Sequence, residues 1–329
     1  MAGAQRVLVG VDLGGTKIQT VALRDGRTVG SARVPTPQSG VAENVIQAIV
    51  GTIHTVLGEA GCDVAAVEGV GIGSPGEIDI AAGIVSQAAN VPGFAGSVRL
   101  GPLVSEALGG DIKVRIDNDV RVGVLGEHRA GAGRPFANML GVWLGTGVGG
   151  GLISDGELHD GRGAAGEIGH MVVKPEGRKC GCGRRGCLEA YAGRARMERR
   201  AHKLVKRGQD TVLFEIMRQE GKQRLTSGVF AKAAKHGDKL TKQLLADAAW
   251  ALALALASAQ NLLDLEAIVV GGGMGDKLGQ PFIDRVVKQM APHLFADDHP
   301  PVVLPTGLGD LSGAVGAALL AGEVEPHAA

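Results

Sequence analysis

Gly163–Glu189 reads GAAGEIGHMVVKPEGRKCGCGRRGCLE. It sets one imidazole and three thiols in the order His170, Cys180, Cys182, Cys187, the nitrogen and sulfur ligands that a tetrahedral zinc ion takes. Glycines at 181, 183 and 186 let the chain wrap tightly around such an ion. Four protein ligands leave no position for a water, so the metal is expected to be structural. Core packing by small buried hydrophobes beside an ordinary histidine is the bland alternative, and three of the chain's four cysteines within eight residues argue against it. Glu167 precedes His170 by three residues and Glu189 follows Cys187 by two, so a metal holding both ends would also fix two carboxylate acceptors for the hydroxyls of a polyol.

Composition bounds the rest. The 329 residues suffice for two domains, and 45% apolar content can fill substantial cores. Thirty-four basic residues cancel thirty-four acidic ones, so the basic excess of a nucleic-acid binder is missing and no nucleic-acid partner is expected. The most apolar run, Ala248–Ala259, is shorter than the roughly 18 to 20 residues of a membrane span. It reads as a buried helix, and no membrane partner is expected. The N-terminus shows no signal-peptide pattern, and only Cys62 remains once the metal takes three thiols, so a reducing cytoplasm is the expected setting. Glycine, at 54 residues, is far in excess, and it clusters directly after strand-like runs.

Along the chain, Arg6–Val11, Ile18–Leu23 and Thr28–Pro35 read as a β-meander with an Asp25-Gly26 turn. Val45 to Leu57 follows helical spacing and Val67–Ile72 returns to strand; Ser97–Leu108 reads as helix and Lys113–Ile116 as a short strand. Asn138–Leu144 and Gly150–Ser154, turning at Asp155-Gly156, echo the opening hairpin. Residues 194–264 are mainly helical, with a long helix over Lys239–Leu263. A strand at Glu266–Val270, a helix near Phe282–Met290, a strand at Val302–Leu304 and a helix over Ser312–Ala321 follow, and the tail beyond is expected to fray. The repeated hairpin predicts a duplicated α/β architecture with ligands between the halves. The small domain is placed at 1–118 with a C-terminal helix, 312–322, packing back on it. The large domain is placed at 119–311, with the metal loop 166–189.

Three glycine segments carry chemistry. Asp12-Leu13-Gly14-Gly15-Thr16-Lys17 is no Walker A motif, because a strand follows it, yet its N–H groups, hydroxyl and ammonium can cradle phosphate, and Asp12 can hold Mg²⁺ through water. It could equally be an ordinary hairpin turn. Gly145, Thr146, Gly147 and Gly149 repeat that logic in the second half, and the pairing strengthens both. Gly271, Gly272 and Gly273 offer a flat backbone for adenosine, or simply open a helix. Asp119, after a strand, suits the base that orients a sugar hydroxyl and takes its proton, and it can also cap the helix beginning near Val120. Asp117 reads as structural.

The string G-E-I-G-H followed by C-x-C-G-x-x-G-C-x-E resembles the signature of the ROK family of bacterial sugar kinases and sugar-responsive repressors, and the resemblance runs from Val9 to about Gly316. It implies duplicated actin-like ATPase (ribonuclease H-like) domains with an interdomain cleft, and a hexose kinase using ATP and Mg²⁺ with structural Zn²⁺. The expected reaction is phosphorylation of glucose at its 6-hydroxyl, or of mannose, fructose or an N-acetylated amino sugar. The resemblance assigns the sugar to Asn118, Asp119, Glu167, His170 and Glu189, with Gly76 and Asn90 on the opposite wall. A homodimer or higher homo-oligomer is expected. A repressor would be expected to need a helix-turn-helix ahead of the first strand, where the few residues before Arg6 leave no room. Family members often carry a serine soon after the last motif, where this chain has Tyr191, Ala192 and Gly193. The basic run Arg194–Arg200 reads as a solvated helix face.

Overall fold

Val7, Val9, Val11 and Leu13 alternate along the first strand and are all buried, while Gly10 faces the other way. This two-sided strand is the centre of the first of two compact units that the computed structural model describes over Arg6–Glu323. That unit holds the chain up to Arg134 and from Asp310 onward; the second is Pro135–Gly309.

In the first unit β1 (Val7–Leu13), β2 (Lys17–Arg24) and β3 (Arg27–Pro35) form an antiparallel meander. Asp25 and Gly26 take φ of 51° and 72°, the paired positive angles of a hairpin turn matched to strand twist. After α1 (Ala42–Glu59), β4 (Val67–Ser74) adds parallel to β1. Short strands β5 (Glu77–Asp79), β6 (Ile84–Ser86) and β7 (Ser97–Val98) make a small sheet. Then α2 (Leu100–Ala107) leads to β8 (Val114–Asn118), parallel to β4, and to α3 (Asp119–Ala130). The sheet order is β3-β2-β1-β4-β8.

Glycine decides how the C-terminal helix, Ser312–Gly322, docks. A β-carbon on Gly10 would lie 1.9 Å from the Ala314 carbonyl, and one on Gly71 would lie 1.7 Å from that of Ala317. The helix backbone therefore rests directly on β1 and β4. Gly126 and Gly316 bring α3 against the same helix, since a β-carbon on Gly316 would sit 1.7 Å from the Val122 carbonyl. Thus α3 belongs with the first unit, and the boundary follows it at Arg134 instead of falling at 118. Gly71→Ala is expected to lower stability by about 1–3 kcal/mol or more, because the clash is with backbone and cannot be relieved by a rotamer. Urea unfolding would read this as a lower midpoint at unchanged slope; an unmoved midpoint would mean the helix can slide away.

The second unit repeats the plan. β9 (Met139–Leu144), β10 (Val148–Ser154) and β11 (Glu157–Leu158) form the meander, again turning through an Asp-Gly pair, Asp155 and Gly156, at φ 52° and 80°. The metal loop follows, then α4 (Glu189–Ala192), α5 (Arg194–Val205), α6 (Leu213–Gln219), α7 (Ser227–Lys235) and α8 (Lys239–Leu263). β12 (Ala267–Gly271) adds parallel to β9, α9 (Gly272–Met290) follows, and β13 (Val302–Pro305) closes the order β11-β10-β9-β12-β13. Asp238 caps α8 by accepting the Thr241 N–H at 2.8 Å. Among the described residues α8 alone has the length and apolarity to cross a membrane, yet Leu244, Ala248, Leu252 and Leu256 are buried in the unit's core.

One local expectation fails for a tertiary reason, and one hairpin gave no signal. Ser97 and Val98 pair with Ser86 and Val85 as strand, so the helix foreseen from Ser97 starts at Leu100. The β5–β6 hairpin, three residues a side, is too short for a periodic signal. The helix foreseen near Phe282 is present as the second part of α9, after a break at Gly279 (φ 60°) ahead of Pro281, and the first part, opening at Gly272, matches the helix-opening reading of the glycine segment. The tail beyond Glu323 lies outside the described residues.

Candidate active site

The first glycine turn joins β1 to β2. Its carbonyls are all occupied: Thr36 Oγ1 donates to Gly14 O at 2.6 Å, Gln38 Nε2 to Gly15 O at 3.2 Å, and Thr36 N to Thr16 O at 3.2 Å. Gly14 N–H is used on Lys17 O at 2.9 Å, whereas the N–H groups of Gly15 and Thr16 donate to none of the described residues. The turn thus presents donors outward with its acceptors tied down, the polarity that an anion requires. Lys17 Nζ reaches Asp310 at 3.4 Å, an exposed pair weak enough to yield to phosphate. A β-carbon on Gly15 would stand 2.1 Å from the Asn90 carbonyl, so the exposed Asn90 loop lies against this turn.

Two carboxylates stand beside the turn. Asp12 abuts Gly313 at the start of the C-terminal helix, where a β-carbon would come within 2.9 Å of its Cγ. Burial and then the charge of Asp119 push the Asp12 pKa up to about 7, with Lys17 opposing. Asp119 opens α3; burial raises its pKa, and the Val120 N–H, donating to Oδ1 at 2.9 Å, opposes the rise. The helix cap, however, is Asn118, whose Oδ1 accepts from Val120 N and Arg121 N at 3.0 and 3.3 Å. Its amide group makes no hydrogen bond among the described residues. Asp117 accepts both Arg121 Nε, at 2.9 and 3.1 Å, and Asn118 N, a buried pair that fixes the strand-to-helix corner. Asn118 lies opposite Ser74 in the parallel ladder, and two residues on Gly76 takes φ 106°, a β-carbon there meeting Ser86 O at 2.5 Å.

The second turn copies the first. Gly145 N–H donates to Gly147 O at 3.0 Å; Arg194 N and Ala195 N close the carbonyls of Gly145 and Thr146 at 3.1 and 3.0 Å. The N–H groups of Thr146 and Gly147 donate to none of the described residues. Gly149 lies inside β10 opposite Trp143, not in the turn. Gly271 to Gly273 run over the end of β9: a β-carbon on Gly271 would touch the Trp143 indole at 3.1 Å, and one on Gly272 would reach Leu144 N at 2.8 Å. A flat glycine surface therefore adjoins the second turn within one unit.

In the metal loop the ligand atoms of His170, Cys180, Cys182 and Cys187 all lie within 4.8 Å of one another. Cys182 and Cys187 Sγ are 3.8 Å apart, and Cys180 Sγ is 3.9 Å from His170 Nδ1. Thiolates bound to tetrahedral zinc at about 2.3 Å stand roughly 3.8 Å apart, so the donor set and its spacing fit that ion. Gly186, at φ 84°, passes so close that a β-carbon would fall 1.9 Å from Lys174 O. His170 Nε2 lies 3.9 Å from the exposed Glu167 carboxylate. Glu189 joins the loop to the second turn: Oε1 accepts from Cys180 Sγ at 3.5 Å, Oε2 from Val148 N at 3.3 Å.

A profile described as the ROK family matches residues 8–324. The chain belongs to the ROK family. Glucokinase of Thermotoga maritima is 34% identical over 316 residues, 94% of this chain and 96% of that protein. N-acetyl-D-glucosamine kinase of Photobacterium profundum is 32% identical, covering 94% and 98%. A ROK family glucokinase from Streptomyces griseus, solved in complex with glucose and AMPPNP, matches with TM-score 0.78 and 32% identity over 96% of this chain and 99% of that one. The protein is accordingly a hexose kinase with the duplicated actin-like ATPase fold.

Two features of this ROK chain escaped the sequence. Arg194 is no solvated face: its guanidinium donates to Thr146 Oγ1 and Leu225 O, both at 2.9 Å, bracing the second turn. A signal existed, because a cation at the first position of a helix opposes the dipole and needs a partner. Tyr191 is buried and accepts the Arg178 N–H at 3.2 Å, so its hydroxyl serves the loop.

Asp12→Asn should stabilise the protein above pH 7. Folded Asp12 titrates near 7 against an ordinary 3.8, so its contribution is fully present below 3.8 and is lost as pH rises through about 7. Thermal unfolding of both proteins on either side of pH 7 and below pH 4 tests this; an equal loss of melting temperature with rising pH in both would overturn it.

Proposed function

We propose that the chain transfers the γ-phosphoryl group of ATP to the 6-hydroxyl of glucose. The observation that carries this is the matched pair of turns at Gly14–Thr16 and Gly145–Gly147, each with carbonyls tied down and N–H groups free for phosphate. ATP is assigned to these turns, to Lys17 and to the Gly271–Gly273 surface. Mg²⁺ fits beside Asp12, held through water, where it would neutralise phosphate charge. Zn²⁺ fits His170, Cys180, Cys182 and Cys187 as a structural ion.

Asp119 is the proposed general base, its carboxylate raised in pKa by burial and therefore better matched to a sugar hydroxyl at neutral pH. The Asn118 amide, Glu167, His170 Nε2 and the Asn90 side chain are assigned to sugar hydroxyls, and Gly76 to the wall. Glu189 has both oxygens engaged within its own unit, so any sugar hydrogen bond it accepts uses its remaining lone pairs.

The second reading, another hexose, rests on the N-acetyl-D-glucosamine kinase relative. A coupled assay over glucose, mannose, fructose and N-acetylated amino sugars, with ATP and with polyphosphate as donors, decides. Glucose with ATP should give the highest kcat/KM. Preference for an N-acetylated sugar would overturn the glucose assignment, and preference for polyphosphate would overturn ATP as donor.

A further inference from the structure

We propose that a pocket beside the metal loop, separate from the phosphate turns, binds a hexose monophosphate. It lies wholly within the second unit as an open depression of about 540 Å³, walled by Lys174, Glu176, Arg178, Arg200, Asp247 and Trp250. That volume falls in the ordinary range for small-ligand sites.

The wall carries uncompensated positive charge. Three cations face two carboxylates, and Asp247 is already paired with Arg178. Arg178 Nη1 and Arg200 Nε are buried without a hydrogen-bond partner. Burial, then repulsion from Arg178 and Arg207, pulls the Arg200 pKa below its ordinary value, and Asp247 alone opposes. Half-buried guanidinium nitrogens left without acceptors are unfavourable, and a phosphate, which matches the planar fork of arginine, would supply them.

The opposite side of the pocket suits a sugar. Tyr191 packs edge-on against Trp250, with ring centroids 5.7 Å apart, fixing the indole, over which the exposed Lys174 ammonium stands at 6.0 Å, placed to turn toward a phosphate. Asp247 and Glu176 supply acceptors for hydroxyls. Acceptors beside an aromatic side chain suit the hydroxyls and C–H face of a sugar.

Occupancy would be felt at the metal loop. The Arg178 N–H is held by the Tyr191 hydroxyl, Cys180 lies two residues beyond Arg178, and Glu189 lies two before Tyr191. A ligand that pulls on Arg178 therefore pulls on the segment carrying Glu189, which gives the site a regulatory role toward a sugar phosphate, the class of molecule the proposed reaction makes. The inference rests on that reading only for the choice of probe.

Trp250 reports on the site once Trp143→Phe removes the only other tryptophan. Its fluorescence would be titrated with glucose 6-phosphate, fructose 6-phosphate and inorganic phosphate, with glucose present throughout to occupy the sugar site. A saturable change with either hexose phosphate is expected, at least ten-fold tighter than with inorganic phosphate. Arg200→Gln should weaken it ten-fold or more, and Lys174→Gln, an exposed change that spares the fold, should weaken it several-fold. The tighter of the two esters identifies the ligand. Absence of a saturable change, equal affinity for inorganic phosphate, or unaltered titration in both variants would overturn the proposal. A chain that gives the titration but fails to phosphorylate glucose would lose the proposed function and keep this site.

Discussion

Asp119→Asn should leave the protein folded and able to bind sugar while lowering kcat by about 10²- to 10⁴-fold, the usual contribution of a positioned general base. The substitution keeps Oδ1, which accepts the Val120 N–H, and it leaves the α3 cap untouched because that cap is Asn118. What it removes is a carboxylate whose basicity burial has raised. The same shift gives the sign of the stability effect. A folded pKa above the ordinary value means the folded chain holds its proton longer, so this group's stabilising contribution is lost as pH rises through the folded pKa. The neutral amide lacks that loss and should be at least as stable as the parent at neutral pH. Steady-state kinetics separates the outcomes: a fall in kcat at constant sugar KM supports the base role, whereas near-parental kcat, or a loss confined to KM, would strip it from Asp119.

How much of this was legible in the sequence follows from the range of the forces involved. The two hairpins announce themselves because Asp-Gly turns and alternating valines are local signals, and their recurrence in the second half gave the duplication. The metal ligands are legible for the same reason, lying within eighteen residues of chain. The placement of α3 was not, since it depends on Gly126 meeting Gly316, nearly two hundred residues away, with no side chain to betray the contact. Nor was the polarity of the first turn. Thr36 and Gln38 read as ordinary loop residues after β3, and only the folded chain brings their donors onto the carbonyls of Gly14 to Thr16. Arg194 illustrates the opposite failure, a visible residue assigned to solvent because charge runs usually are.

Loss of the proposed zinc should raise the KM for ATP as well as for sugar, and this double effect distinguishes the loop from a simple sugar wall. Zinc binding to such a donor set is worth about 10–16 kcal/mol in small peptides, free energy that appears as folding of the loop. The loop's own ties are short-range, isolated bridges at Val172–Cys187 and Lys179–Arg185 and turn hydrogen bonds, without a strand ladder or α-helix of its own. Without the ion, burial pushes the Cys180 thiol up to about 12, so no thiolate charge is available there to hold the loop by other means. Glu189 follows the ligand Cys187 by two residues, so the ordered loop fixes its carboxylate, and Glu189 Oε2 accepts Val148 N at the edge of the second phosphate turn. Cys187→Ala is therefore expected to release the metal, lower the melting temperature and loosen both the Glu167–His170 acceptors and the Gly145–Gly147 donors. Cys62→Ala, in the other unit, should change none of these. Metal analysis of protein purified without chelator, paired with both KM values before and after zinc is restored to chelated enzyme, gives the readout. Protein that holds no zinc would end the assignment, and a rise in sugar KM alone would show that Glu189 does not carry the loop's order to the nucleotide turn.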